Sequence, residues 1–296
     1  MTDWLMANPK AGDGERNERF WRDHLEQAGV AGARRCDLED TSWVQKVRPE
    51  DRILAAGGDG SVNAAAAICL KTGATLAVLP SGTANDFFRN LGIDNDPQAI
   101  CQALRQEASR AVDVGEYQDG LCLNVAHVGL GAMPARDANA NGSSKKRLGQ
   151  FSYLLSLVRR LFSRRGFRAT ISTDSASVGG RWLSVAIANG AYFGGGTEVP
   201  DASITNGRLV VIAVRPASVG ALTGAFIRTR LLRRPPGETK TVVELSCQWC
   251  EVTPHHRKTV TVDGDVAGET PFRLDCRPGK LKVVMADRAD VDQGAQ

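Results

Sequence analysis

A chain of 296 residues, 42% hydrophobic and 24% charged, has the composition of a folded globular protein with room for one large core or two ordinary ones. No run approaches the ~20 consecutive apolar residues that a membrane-spanning helix needs, and seven scattered cysteines, an odd number, exclude a regular disulfide framework. A net charge of only +4 makes the distribution of charge matter more than its sum.

Taken in chain order, "WLMAN" reads as a first strand and "NPKAG" (from Asn8) as the turn after it. "GERNERFWRDHLEQAG" is an amphipathic helix stopped at Gly29. "RILAA" is a second strand, followed by "GGDGS" and an alanine-rich helix that ends near Gly73. "TLAVLP" is a further strand closed by Pro80, and "TANDFFRNLG" opens another helix. Strands alternating with helices predict a parallel α/β layer. From about Asp113 the rhythm changes to short, alternating, β-branched runs such as "GLCLNVAHVG", "RWLSVAIANG", "GRLVVIAV" and "RKTVTVDGD". That pattern predicts an antiparallel β-sandwich, interrupted by one helix over 148–162. The expected organisation is an α/β domain over 1–114 and a β-sandwich over 115–296, with the extreme C-terminal segment packing back on the first domain. "MTDWLMANPK" lacks a basic start followed by an apolar run, so a cytoplasmic protein is expected.

The glycine turns carry the chemistry. "GGDGS", Gly57 to Ser61, lies between a strand and a helix, where peptide N–H groups are free and the helix dipole is positive, a natural anion site. It is neither GxxxxGK[ST] nor GxGxxG. Ser61 is placed to cap the following helix. A plain tight turn needing positive φ angles accounts for the glycines equally well. "LPSGTANDFFRNLG" offers a second such turn, with Ser81, Thr83 and Asn85 as hydrogen-bonding side chains, and "NPKAG" a third. Three polar turns at equivalent strand ends favour a nucleotide held between backbone amides.

These motifs resemble the diacylglycerol kinase catalytic domain, shared by bacterial lipid kinases and by sphingosine and ceramide kinases. The resemblance rests on "NPKAG", "GGDGS" where the family has GGDGT, "LPSGTANDFFRNLG", "NGAYFGGGTEVPDA" from Asn189, and "VDGD" from Val262, in the family's order along nearly the whole chain. It implies an ATP- and Mg²⁺-dependent lipid kinase with nucleotide binding at Asn8, Gly57, Gly58, Asp59, Gly60, Ser61, Val62, Asn63 and Thr83. Asp59 is then expected to act through Mg²⁺, water or hydrogen bonds, because an unscreened carboxylate repels phosphate. Where the family has a glutamate as catalytic base in a D-G-E turn, this chain has Asp265, one methylene shorter; Asp-Gly is also an ordinary hairpin turn. Where the family supports Mg²⁺ with an aspartate, this chain has Asn206, a weaker ligand for a hard cation. NAD kinase, which shares the GGDG turn, is one alternative. A nucleotide-binding regulatory protein that has lost catalysis, suggested by Ser61, Asn206 and Asp265, is another.

Residues 145–168 hold eight basic side chains and no acid, and a second basic cluster begins at Arg228. With the apolar positions 148, 151, 155, 158 and 162 at helical spacing, they are read as a face for an anionic membrane surface, visited peripherally, or as core beside a solvated face. No aromatic-lined platform accompanies them, so nucleic acid is not expected as a partner. The single "CQWC", Cys247 to Cys250, lacks the spacings of a structural zinc site and reads as reduced thiols in a strand.

Overall fold

The structure, a computed structural model, describes residues 1–11, 14–30, 32–106, 108–118, 120–129, 166–217 and 241–286. The chain divides into two compact units, Met1–Val114 with Arg277–Gln296, and Gly115–Cys276.

In the first unit the elements are β1 (Asp3–Ala7), α1 (Glu18–Gln27), β2 (Arg34–Arg35), a 3-10 turn over Thr41–Lys46, β3 (Arg52–Gly57), α2 (Asp59–Thr72), β4 (Thr75–Pro80), α3 (Asp86–Arg89) and α4 (Pro97–Arg105). The strands pair in parallel in the order β2-β1-β3-β4. All six residues of β3 are buried, as its unbroken apolar run requires of a strand covered on both faces. Helix α1 starts later than its hydrophobic pattern suggests, because Asn17 caps it by accepting the Phe20 N–H at 3.0 Å. The helix predicted from "TANDFFRNLG" shrinks to the four residues of α3, because Asn85 stands in the left-handed region at φ +50°.

Strand β5 (Ser109–Tyr117) leads into the second unit, which contains β6 (Gly120–Cys122), β7 (Val125–Gly129), β8 (Phe167–Thr173), β9 (Ser177–Trp182), β10 (Ser184–Ala188), β11 (Tyr192–Phe193), β12 (Thr197–Glu198), β13 (Leu209–Val214), β14 (Val242–Cys247), β15 (Trp249–Pro254), β16 (Thr259–Val262) and β17 (Asp265–Glu269). One antiparallel sheet runs β14-β13-β10-β7-β16-β17. A second layer holds β15, β8 and β9. Alternate side chains of the two layers, among them Ala126, Val185, Val211, Ile171, Val252 and Trp182, share one buried core. Cys247 and Cys250 are fully buried in that core; burial pushes the Cys247 thiol up to about 12, so both are structural thiols. The residues 130–165, with the predicted helix and most of the first basic segment, and 218–240, with the second basic cluster, lie outside the described residues.

The last strand, β18 (Phe272–Val284), serves both units. Its start pairs antiparallel with β15, from Phe272 opposite Val252 to Asp275 opposite Trp249. Its end pairs in parallel with β4, Val283 opposite Leu76, and so extends the sheet of the first unit.

Candidate functional site

Because β3 and β4 are parallel neighbours, the glycine turns that follow them lie side by side, and the Ser81 N–H donates to the Gly57 carbonyl at 3.0 Å. A Cβ on Gly82 would lie 2.5 Å from Gly58 Cα and 2.8 Å from Asn85 Oδ1; one on Gly57 would overlap the Ser61 side chain. None of Gly57, Gly58, Gly60 and Gly82 has a positive φ. Gly82 is therefore needed for the close approach of two backbones and Gly57 for room beside the Ser61 side chain, and the reading as turns that merely require left-handed dihedrals is corrected. Gly60 differs: it is exposed, with no atom within 4 Å of where a Cβ would sit.

Helix α2 begins immediately at this contact. Gly58 occupies the cap position without a side-chain hydrogen bond, while Ser61 is already inside the helix and its hydroxyl accepts from Asn8 Nδ2 at 3.1 Å. The expectation that Ser61 caps the helix is thus corrected: the hydroxyl ties the turn after β1 to α2. Asn8 Oδ1 in turn accepts the Lys10 N–H at 2.9 Å. The N–H groups of Ser61 and Val62 are both taken by the Gly58 carbonyl, and Val62 is 2% exposed. Val62 therefore has neither a free donor nor an accessible side chain, and its predicted contact with nucleotide is withdrawn. Asn63 is half-buried one turn into the helix. The open donors at this end are those of the first helical positions, Asp59 and Gly60.

Asp59 Oδ1 accepts the Phe87 N–H at 3.0 Å, at the start of α3. Of the roles expected for this acid, the structure shows the hydrogen bond: the carboxylate couples the two glycine turns. Asn85 closes the second turn on itself, donating to the Gly82 carbonyl at 2.7 Å and accepting the Gly82 N–H at 3.0 Å. Buried Ser81 accepts from Trp21 Nε1 at 2.8 Å and serves the packing of α1. Thr83 is exposed beside these turns.

A cavity of about 480 Å³ opens against the same backbone. Its lining combines the polar Asn8, Asp37, Thr41 and Ser61 and the backbone of Gly60 with the apolar Leu38, Trp43 and Ile68. Trp43 is held rigidly, stacked on Trp4 at 5.7 Å and donating Nε1 to the Asp37 carbonyl at 2.9 Å. Phosphate donors beside an apolar slot of this size suit a nucleotide.

In the second unit, Asp263 and Gly264 have φ of +50° and +93° and join β16 to β17 as a two-residue hairpin, with Val262 paired to Asp265. The Asp263 carboxylate accepts the N–H groups of Leu123, Asn124 and Val125 at 2.8–2.9 Å. Asp265 follows the turn with an exposed side chain. Asn206 is a turn residue: its Nδ2 donates to the Asp201 carbonyl at 3.3 Å and its Oδ1 accepts the Arg208 N–H at 3.0 Å. Among the described residues no three His, Cys, Asp or Glu side chains gather into a metal cluster. A resident Mg²⁺ at Asn206 does not fit this arrangement, and no step is assigned to one.

His127, in β7 between Ala186 and Thr261, packs against Phe193 with ring centroids 5.4 Å apart, and its Nδ1 is buried without a hydrogen-bond partner. Burial pushes its pKa down to about 4. Its folded value lies below the unfolded one near 6.5, so protonation favours the unfolded chain. Stability is expected to be full above that value and to fall, by up to about 3 kcal/mol, as pH drops towards 4. Melting curves between pH 7.5 and 4 check this; His127→Gln should flatten the slope, and an unchanged slope would refute the assignment.

Sequence reading missed the Leu38–Trp43 wall, the Phe87 N–H that receives Asp59, the anchoring by Asp263, and His127. Only Asp263 carried a signal, as an acid before glycine between two strands.

The diacylglycerol kinase catalytic domain matches residues 3–117, and the YegS C-terminal NAD kinase beta sandwich-like domain matches residues 124–285. A probable lipid kinase YegS-like of Pseudomonas putida is 30% identical over 274 residues, spanning 83% of this chain and 86% of its own. A Synechocystis sp. protein is 30% identical over 240 residues, and the chain spans about half (54%) of its length. A crystal structure of a diacylglycerol kinase from Bacillus anthracis, 22% identical, superposes with a TM-score of 0.76 over 97% of this chain and 98% of its own, which shows a shared fold.

Proposed function

Because the chain belongs to the diacylglycerol kinase catalytic-domain family of lipid kinases, we propose that it transfers the γ-phosphoryl group of ATP to a hydroxyl of a membrane lipid. The observation that carries the nucleotide half is the cavity beside Gly60, where first-turn N–H groups of α2 meet a slot walled by Leu38, Trp43 and Ile68. In this reading the base fills the slot and the phosphates lie over Asp59 N–H and Gly60 N–H, with the Thr83 hydroxyl as a further donor. Mg²⁺ comes with ATP, since phosphate oxygens supply the hard ligands it prefers. Asp59 holds the two turns in register. Asp265 accepts the proton of the lipid hydroxyl, whose oxygen bonds to the γ-phosphorus as the bond to the bridging oxygen of ADP breaks. The basic residues 145–168 support a peripheral visit to an anionic bilayer, which salt-sensitive sedimentation with anionic vesicles checks.

Ala64, an exposed residue of the cavity wall, gives a direct probe of the slot. Ala64→Trp should weaken ATP binding roughly 10-fold by occupying it, with the melting temperature unchanged. Undiminished ATP affinity in a titration would place the base elsewhere.

The proposal itself is tested by incubating the protein with labelled ATP, Mg²⁺ and mixed micelles of diacylglycerol, ceramide or a sphingoid base, with NAD in parallel. Label in one lipid is the expected result. Label only in NAD would turn the assignment to an NAD kinase, and ATP bound without transfer would leave a non-catalytic nucleotide-binding protein.

A further inference from the structure

We infer that Asp263 is a positioning residue, which fixes the place of Asp265 and thereby the rate of transfer without touching either substrate. This deepens the lipid kinase reading and rests on it.

The strand that carries Asp265 is poorly fixed by its own surroundings. Among the described residues, β17 is the last strand of its sheet, pairs only with β16, and has four of its five residues exposed. The pairing slips in register between Val260 and Thr261, so only the pairs Thr261–Val266 and Val262–Asp265 tie the tip in its ladder. A catalytic base has to be held within roughly 0.5 Å of its working position. Two ladder pairs leave room for a stronger fixture.

Asp263 supplies it from two positions before the acid. Its Oδ2 accepts the Leu123 N–H at 2.8 Å, and its Oδ1 accepts the N–H groups of Asn124 and Val125, each at 2.9 Å. Its own N–H donates to the Val125 carbonyl at 3.0 Å. An Asp-Gly pair needs none of this to make a two-residue hairpin; the turn requires only the positive φ angles. The three charge-assisted bonds reach instead across the sheet to the start of β7.

That start is itself pinned from the other side. Asn189, fully buried, donates Nδ2 to the Leu123 carbonyl at 3.0 Å, and the N–H groups of Asn189 and Gly190 both reach the Asn124 carbonyl, at 2.8 and 3.1 Å. A continuous line of hydrogen bonds therefore runs from Asn189-Gly190, through residues 123–125, to the hairpin tip and Asp265. It gives the "NG" that opens the "NGAYFGGGTEVPDA" stretch a mechanical role: it is the fixed end of the lever that aims the acid.

Asp263→Asn isolates the carboxylate, because asparagine has the same size and tolerates φ +50° as well. Its amide nitrogen must face at least one N–H that the carboxylate now accepts, and the tip shifts. A displacement of about 1 Å at a reacting group costs on the order of 100-fold in rate. The expected result, in the micelle assay with labelled ATP, is a kcat lowered on the order of 100-fold with KM for ATP within about twofold. In an Asp265→Asn background the same change should leave the residual transfer nearly unaltered, because displacing a base that is already gone costs nothing. Should Asp263→Asn fail to fold, Asp263→Ser, which keeps one acceptor for the three donors, is read in the same way. An unchanged kcat overturns the proposal. So does a loss of ATP binding, or an equal loss in the Asp265→Asn background, since either marks a general role in the fold. A wild-type protein that labels no lipid overturns the lipid kinase reading and this proposal with it; an active wild type indifferent to Asp263→Asn overturns the proposal alone.

Discussion

Replacing Gly82 by alanine is expected to lower ATP affinity at least ~100-fold and to cost about 1–3 kcal/mol of stability. The new methyl carbon would sit 2.5 Å from Gly58 Cα and 2.8 Å from Asn85 Oδ1. Gly58 cannot yield, because it is main chain at the end of a buried strand and the cap of α2. Relief must come from parting the two turns, which breaks the contact that aims the α2 N–H groups and stretches the Asp59–Phe87 hydrogen bond. Gly60→Ala is the matched control: no atom lies within 4 Å of its Cβ, so the fold should be untouched, while the methyl group enters the space through which a phosphate approaches. An ATP titration with a melting curve separates the cases: Gly82→Ala loses both stability and affinity, Gly60→Ala affinity alone, roughly tenfold. Unaltered ATP binding by Gly82→Ala would remove the glycine turns from the nucleotide site.

Asp265→Ala should reduce phosphate transfer by ~10²–10⁴-fold, the usual contribution of a general base, with ATP binding within about twofold of the wild type. The separation is expected because Asp265 lies in the sandwich unit and the glycine turns in the α/β unit. Asp265→Glu restores the length that the family carries at this position and should retain transfer. Full activity in the alanine variant would move the base to another residue, while the kinase assignment would stand.

The alternation of strand and helix, and then of apolar and polar residues, is enforced by burial, and for that reason both layers were legible from the sequence. The α1 boundary was misjudged because Asn17, one capping side chain, outweighs a hydrophobic pattern that begins earlier. α3 was overestimated for a comparable reason, the left-handed Asn85. At the candidate site the residues of the glycine turns were found, but their reasons were not. That Gly82 is glycine because its backbone touches that of Gly58 is a property of strand neighbours, invisible in a linear string. The hydrogen bonds of Asp59 to Phe87 and of Asp263 to residues 123–125 span 28 and about 140 positions, and composition and spacing cannot register them. Val62 is grouped with the binding residues by its position in the motif, whereas its burial and its helix hydrogen bond assign it elsewhere; Ser61 lines the cavity, with its hydroxyl bonded to Asn8.

The contribution of β18 to the first sheet bears on how the protein comes off the ribosome. By the time residue 114 has emerged, β4 exists with one long side unpaired, five of its six residues destined for burial, and its neighbour on that side is still more than 160 positions away. For the whole synthesis of the sandwich the nascent chain carries an open, apolar strand edge, the kind of surface that recruits other strands or a holdase chaperone. The α/β half of this protein is thus begun before the sandwich and completed only after it.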